Sequence, residues 1–228
     1  MSNSDFQLVS PEPFNQLAKT IVDQDEVRAR LLQLHSDLTP ELLSKAILKG
    51  LSARNETTRA SAPTAAGGKQ WFDTLDELRN LLLEKQWNPH DQRNCPFAIA
   101  PDRSISIVVM TGNAETGKQG LEDPSTAADK GAVAEGYVSA NRQHKLFSQA
   151  QEQGTQVWAL LYHYDKTLKE VRYELSLPTD FSKKKITGWG ERLILGSIPN
   201  SPTDFTIRQD VPNAPATVEV QPKTGTSN

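Results

Sequence analysis

The sequence contains one cysteine, Cys95, among 228 residues. A single cysteine cannot form a disulfide within the chain, and it cannot supply the paired cysteines of a zinc module. The chain also lacks an apolar run of about eighteen residues, which a membrane-spanning helix needs. Its first residues show no basic stretch followed by an apolar stretch. These absences predict a protein of the reducing cytoplasm, with no membrane partner.

Neither sign of charge dominates the sequence, and apolar residues are few. Lys and Arg number 25 against 28 Asp and Glu, which gives a net charge of -3. This balance provides no general attraction to nucleic acid, so any such contact must come from a local patch. Apolar residues make up 36% of the chain and the mean hydropathy is -0.55. Values this low predict that part of the chain lies outside any packed core.

The patterns divide the chain into four parts and predict an α+β fold. Residues 1–52 form an N-terminal helical segment, and residues 53–69, which are small and polar, form a flexible linker. Residues 70–198 form the core domain, an antiparallel sheet of four or five strands with two helices. Residues 199–228 contain five prolines and are expected to be a disordered tail.

Two stretches of the first segment carry helix start signals. Residues 10–12 (Ser-Pro-Glu) and 39–41 (Thr-Pro-Glu) each place a capping residue, a proline and an acid in order. An apolar stripe follows the second signal, and Gly50 stands near its end as a candidate C-cap. The stripe consists of Leu42, Leu43, Ala46, Ile47 and Leu51. We expect residues 10–51 to bind a protein partner or a second copy of the chain through this stripe.

The clearest fold signal is a β-hairpin. Residues 157–165 and 171–177 are rich in β-branched and aromatic side chains, and a polar stretch separates them. One register places all the large apolar side chains on one face, whereas a slip of one residue would divide them. That register pairs Tyr164 with Val171, Tyr162 with Tyr173, Leu160 with Leu175 and Trp158 with Leu177. A third strand is expected over residues 186–195.

The other face of this hairpin is polar. The same register places His163 opposite Arg172, with Asp165 and Glu174 on the same face. A histidine beside two carboxylates and an arginine can serve acid–base catalysis, hold a divalent metal or bind phosphate. An exposed sheet face with compensating charges contains the same residues, because opposite charges on neighbouring strands are ordinary stabilising pairs. We favour the second interpretation, and Glu174 lacks the following lysine that a restriction-type nuclease would require.

A phosphate-loop pattern follows the expected strand at residues 105–110. Gly112 to Lys118 matches GxxxxGK, with Gly117 as the second glycine. Such a loop holds phosphates with its backbone amides and its lysine at the start of a helix. Gln119 stands where a magnesium-binding Ser or Thr is expected, and the residues that follow are poor helix formers. A flexible connection that matches a short pattern by chance is the simpler interpretation.

A basic stretch with an aromatic neighbour follows the hairpin. Lys183, Lys184 and Lys185 precede Trp189 and Arg192. Lysines and arginines can contact phosphates, and an exposed aromatic ring can stack on a base. A solvated turn that protects a sheet edge is the competing interpretation. Contact of these five residues with nucleic acid is therefore a hypothesis.

The sequence shows no GxSxG, HExxH or EF-hand pattern and no clustered metal ligands, so no cofactor and no metal site are predicted. The expected function is that of a non-enzymatic accessory protein in the bacterial cytoplasm, which binds another protein and contacts nucleic acid through its basic patch. The alternative is an enzyme for a phosphate-containing substrate, either a nucleotide hydrolase or a nuclease-like protein.

Overall fold

The computed structural model describes residues 18–120, 122–146 and 154–200, and within these ranges the chain forms four helices and seven strands. The helices are α1 (Gln24–Leu34), α2 (Pro40–Asn55), α3 (Ala65–Leu83) and α4 (Ala132–Leu146). The strands are β1 (Lys19–Ile21), β2 (Asn88–Gln92), β3 (Cys95–Ile99), β4 (Ile105–Thr111), β5 (Gln156–Asp165), β6 (Glu170–Ser182) and β7 (Lys185–Pro199). The α+β class is confirmed.

All seven strands form one mixed sheet in the order β1-β7-β6-β5-β4-β3-β2. Neighbours pair antiparallel except β4 with β5 and β1 with β7, which are parallel. The expectation of four or five antiparallel strands was therefore wrong in number, and wrong in direction for the β1–β7 and β4–β5 pairs. The strands β1 and β2 were missed because one has three residues and the other, Asn88–Gln92, is polar and exposed. Neither shows the apolar alternation by which strands are recognised.

The predicted hairpin register is confirmed over most of its length. Tyr164 pairs with Val171, Tyr162 with Tyr173, Leu160 with Leu175 and His163 with Arg172. The pairing of β5 with β6 ends at Ala159 and Ser176, so the expected pair of Trp158 and Leu177 does not form. Strand β6 bulges against β7 on both sides of Pro178. A proline cannot donate a ladder hydrogen bond, which accounts for an irregularity at this point.

The helix start at residues 39–41 is as predicted, but the helix does not end at Gly50. The Thr39 side chain accepts a hydrogen bond from the Leu42 amide, with Pro40 in the first turn. Gly50 is buried where α2 crosses α3, and a Cβ there would lie 1.9 Å from Thr74 Oγ1. This glycine permits close packing of two helices. Because α2 continues to Asn55 and α3 begins at Ala65, helix occupies much of the predicted linker.

One face of the sheet, which we call the helix face, packs against α1, α2 and α3. The predicted stripe on α2 is buried there in a single apolar cluster, together with Trp158 and Leu160 of β5. Full burial of a Leu or Ile side chain contributes about 1.5–3 kcal/mol to the free energy of folding, relative to leaving it exposed to water. The stripe therefore belongs to the core and is not free for docking, and helices α1 and α2 pack in the same apolar cluster as the sheet.

The opposite face, which we call the loop face, is covered by α4 and by the β4–α4 loop (residues 112–131). Helix α4 packs on β5 and β6, and its Asn141 side chain bonds backbone atoms of Val157 and Pro178. This helix is one of the two expected in the core domain, and the structure describes it from Ala132 to Leu146. The helix start predicted at residues 10–12, and residues 201–228 of the predicted tail, lie outside the described residues.

Candidate binding site

A buried ion pair lies at the centre of the loop face. Glu174 on β6 is 0% exposed and Arg192 on β7 is 1% exposed. Arg192 donates to both carboxylate oxygens, with Nη2 2.7 Å from Oε2 and Nε 3.0 Å from Oε1. The Ser176 hydroxyl donates to Oε1 and the Gly117 amide to Oε2. The carboxylate of Glu174 is thus fully engaged, as a buried charge requires.

Both arginines of this face also hold the β4–α4 loop. Arg192 Nη2 donates to the Lys118 carbonyl oxygen at 3.1 Å, and its Nη1 lies 3.4 Å from Asp123. Arg172 donates from Nε to the Thr116 carbonyl at 3.1 Å and from Nη2 to the Ala114 carbonyl at 3.0 Å. These bonds satisfy carbonyl groups of the loop, whose described residues lie mostly outside helices and strands.

The remaining predicted residues of this face lie at the edge of the same arrangement. Asp165 accepts from Arg172 at 3.0 Å and from the amides of Thr167 and Leu168, so it caps the β5–β6 turn. The Leu168 amide and then the Arg172 guanidinium lower the pKa of Asp165 to about 2. His163 Nδ1 lies 3.1 Å from the Gly112 carbonyl oxygen. The structure thus brings together all four predicted residues. His163, Arg172 and Glu174 bond to the β4–α4 loop, whereas Asp165 pairs with Arg172 and caps the β5–β6 turn.

The expectation that this polar face is exposed was therefore wrong, because Arg172 and Glu174 are buried beneath the β4–α4 loop. Strand alternation placed these residues on one face correctly. It could not reveal what covers that face, because the covering residues Thr116 and Gly117 lie 56 and 57 positions before the arginine and glutamate that they contact.

The GxxxxGK segment has the hydrogen bonding of a structural loop. The amides of Gly112, Asn113, Thr116, Gly117 and Lys118 all donate to acceptors within the chain. A Cβ on Gly112 would lie 2.1 Å from Thr116 Oγ1. Gly117 has φ +71°, and a Cβ there would lie 2.7 Å from Arg172 Cβ. Both glycines are thus required by the close approach of the loop to the sheet, and these amides are not free for a phosphate.

The basic stretch with its aromatic neighbour is divided between surface and interior. Lys183 and Lys184 form the exposed tip of the β6–β7 hairpin, with φ 49° and 63°. Lys185 Nζ donates to the Ala127 carbonyl at 3.2 Å. Trp189 is 3% exposed, and its indole N–H donates to the Pro124 carbonyl at 2.7 Å. Trp189 and Arg192 are therefore not exposed for stacking on a base or for contact with a phosphate.

An open cleft of about 610 Å³ lies between the β2–β3 hairpin and α4. Helix α4 covers β5 and β6, so the loop face of β2 and β3 is left without a helix above it. The rings of Phe97 and Tyr137 pack edge to face at the base of the cleft, with their centroids 6.1 Å apart. Burial raises the pKa of the Tyr137 hydroxyl. His90, Gln92 and Arg93 line one wall and Ala132, Val133, Gly136 and Ala140 the other.

A smaller recess of about 320 Å³ adjoins the cleft, and both share Arg93, Ala132 and Val133 in their walls. The recess lies at the carboxyl end of β4, where α4 begins, and is lined by Trp71, Cys95 and Lys130 among others. The Trp71 indole N–H donates to the Val109 carbonyl at 3.0 Å. Burial lowers the pKa of Lys130 and raises the pKa of the Cys95 thiol.

Sequence reasoning missed both cavities. The available signal was the dipeptide Arg93-Asn94 between the short segments that form β2 and β3. Both residues have positive φ, as a two-residue hairpin turn requires, so the dipeptide could have indicated the β2–β3 hairpin. The carboxyl end of a strand that is followed by a helix and a parallel strand is a common ligand position. That rule could not be applied, because β4 and β5 were not recognised as parallel neighbours.

Among the described residues, no group of three or more His, Cys, Asp and Glu side chains is arranged to hold a metal ion. No helix in the described ranges is long and apolar enough to cross a membrane. Comparisons of the chain with protein-family models, with curated proteins and with solved structures found no match.

Proposed function

We propose that this protein is a non-enzymatic, intracellular accessory protein that binds its partner in the cleft between the β2–β3 hairpin and α4. One observation carries the proposal. The cleft is open and has aromatic side chains at its base and polar side chains at its rim. This combination is typical of ligand and partner sites, where apolar area provides affinity and a few polar groups provide orientation.

The distribution of charged residues supports binding over catalysis. A catalytic carboxylate must reach the substrate, yet Glu174 is fully buried and bonded to Arg192, Ser176 and Gly117. Arg172 is occupied by two loop carbonyls and two carboxylates. The alternative of an enzyme for phosphate-containing substrates therefore has less support, because its proposed residues stabilise the loop.

A blocking substitution tests the proposed cleft. Gly136 lines the cleft, and a Cβ there meets no atom within 4 Å, so Gly136→Trp places an indole in the cleft without a clash. Gly67 on α3 is equally open and lines none of the described cavities, so Gly67→Trp is the matched control. Both variants should have the thermal unfolding midpoint of the wild type.

The measurement is affinity capture from cells of the source organism, quantified by mass spectrometry for the wild type and both variants. We expect a protein that the wild type and Gly67→Trp recover equally and that Gly136→Trp loses. The same recovered proteins for all three chains would show that the cleft is not the binding surface.

Nucleic-acid contact is a second candidate, favoured by the exposed tip formed by Lys183 and Lys184. Exposed lysines that neutralise phosphates give binding that weakens as salt rises.

The test uses labelled single- and double-stranded DNA and RNA over a salt series. Lys183→Glu with Lys184→Glu should abolish binding. Lys166→Glu with Lys169→Glu is the matched control, because those lysines lie in the equally exposed β5–β6 turn. Absence of binding by the wild type at low salt would exclude this candidate, and so would equal loss in the two double variants.

A further inference from the structure

The recess beside the cleft has a positively charged lining. Arg93 lies in the β2–β3 turn and lines both cavities, and Lys130 lies in the recess. Asp129 is the one carboxylate of the lining and is exposed. The lining therefore carries two positive charges against one negative charge.

Neither cation is neutralised within the described part of the chain. Arg93 and Lys130 make none of the ion pairs found there. Arg172 and Arg192 are different, since each pairs with two carboxylates of the chain. Lys130 is partly removed from water, whereas Arg93 is exposed. A partly buried cation without a carboxylate partner gains more from an incoming anion than a fully exposed one does, so Lys130 is the stronger of the two anchors.

The position of Lys130 is fixed by the fold. Its amide donates to the Lys184 carbonyl at 2.7 Å, so its backbone is anchored to the β6–β7 hairpin. Its side chain is partly buried, and burial lowers its pKa. The first turn of the 15-residue helix α4 adjoins it, and Ala132, Val133 and Ala134 form part of the recess wall. The positive end of the helix dipole adds to the attraction of an anion there.

The adjoining cleft supplies the apolar part of a binding site. Phe97, Val133 and Tyr137 present a surface suited to a ring or an aliphatic chain. Since Arg93 lies in the walls of both cavities, a ligand in the cleft can reach the recess with a charged group.

We propose that the recess is an anion subsite, and that the ligand carries a phosphate or carboxylate group beside Lys130 and Arg93 with an aromatic or aliphatic body in the cleft. This inference rests on the proposed function, because it specifies the chemistry of the group that the cleft accepts. Lys130 and Arg93 act as binding residues that recognise charge.

The test is an NMR titration of the full-length protein with three probes that share a benzene ring: phenyl phosphate, benzoate and benzyl alcohol. The backbone amide signal of Ala134 reports on the recess alone, whereas those of Ala132 and Val133 report on both cavities. We expect phenyl phosphate or benzoate to shift all three signals in a saturable way, and benzyl alcohol to leave the Ala134 signal unchanged. The stronger of the two anions identifies the charged group.

Substitutions identify the cations. Lys130→Met and Arg93→Gln should each weaken binding of the preferred anion about tenfold, which corresponds to about 1.4 kcal/mol. Lys45→Met on α2 is the control, because it removes an exposed lysine from a helix that packs on the other face of the sheet. Its dissociation constant should equal that of the wild type.

Three results would overturn the inference. The first is that both anions leave the amide signals of Ala132 to Ala134 unchanged, and the second is that Lys130→Met binds as tightly as Lys45→Met. The third is that inorganic phosphate alone matches phenyl phosphate, which would remove the apolar body from the ligand. The capture experiment and the titration distinguish the two proposals. If Gly136→Trp loses the captured protein but neither anion binds, the proposed function stands and the anion subsite is rejected. If an anion binds but Gly136→Trp captures the same proteins as the wild type, the proposed function is rejected instead.

Discussion

The two faces of the sheet are both buried, but by different means. The helix face packs Leu and Ile side chains of three helices against apolar strand positions. On the loop face, β6 and β7 are covered by residues of the β4–α4 loop, and Arg172, Glu174 and Arg192 are buried between the two. Helices satisfy their own backbone groups, whereas a loop needs partners for its carbonyls and amides. Charged side chains on strands supply those partners here.

This contrast concerns how stability is distributed. On the helix face many interchangeable apolar contacts each contribute a small part. On the loop face a few arginine and glutamate side chains each serve several partners at once. Loss of one such residue leaves the others buried without compensation.

The largest expected effect comes from Glu174→Gln. This change leaves Arg192 buried without its carboxylate, and we expect a loss of about 3–5 kcal/mol in the free energy of unfolding. Urea unfolding measures the loss. Glu170→Gln removes a partly exposed partner of Arg172 and serves as the control. Equal stability of the two variants would show that the buried pair does not support the loop.

The second substitution, Leu43→Ala on α2, removes apolar packing from the helix face instead. Leu43 is fully buried, so its truncation should cost about 2–5 kcal/mol. Leu32→Ala is the control, because Leu32 is 48% exposed.

Amide hydrogen exchange distinguishes the effects of the two substitutions on the two faces. We expect Glu174→Gln to increase exchange selectively at residues 112–118, and Leu43→Ala to increase it throughout. Selective opening of the loop in Leu43→Ala would contradict the comparison.

A smaller effect is expected from Gly117→Ala. The new Cβ would lie 2.7 Å from Arg172 Cβ at a positive φ, which should destabilise the protein by about 1–3 kcal/mol. Gly196→Ala also has a positive φ, but its Cβ would meet no atom within 4 Å. The difference between these variants in thermal unfolding isolates the close approach of loop and sheet. No difference would mean that the loop can move away without cost.

The smallest expected effect is the pH dependence of Asp165→Asn. The pKa of Asp165 falls from its ordinary value of 3.8 to about 2. A lowered pKa in the folded state stabilises the protein above about pH 4, and this contribution disappears as the pH falls towards 2. The variant should therefore be less stable than the wild type at neutral pH and equal to it near pH 2. Asp76→Asn, on the exposed side of α3, is the matched control variant, because it removes one carboxylate at a distance from Arg172.

Local signals predicted the central part of the fold. The start of α2 at Thr39 and Pro40 and the three pairs from Tyr164 to Leu175 were predicted because capping and alternation depend on neighbouring residues. Gly50 was misread as a helix end, because its role depends on Thr74 of another helix. The strand β2 was missed because a polar edge strand has no apolar face to reveal it.

The candidate site was less predictable than the fold. The four residues His163, Asp165, Arg172 and Glu174 were grouped correctly, but their partners in the β4–α4 loop were not foreseen. Arg93 and Lys130 are distant in sequence and belong to no motif, so nothing in the sequence indicated that both line one recess.

The sequence by itself determined the α+β class, the register of the β5–β6 hairpin and the grouping of polar residues on one face. These follow from periodicity and capping, which act over a few residues. The tertiary structure decided that this polar face is buried, that the GxxxxGK segment is a structural loop, and that a cleft stays open beside α4. Burial and concavity depend on which distant segments meet, and no local pattern encodes that meeting.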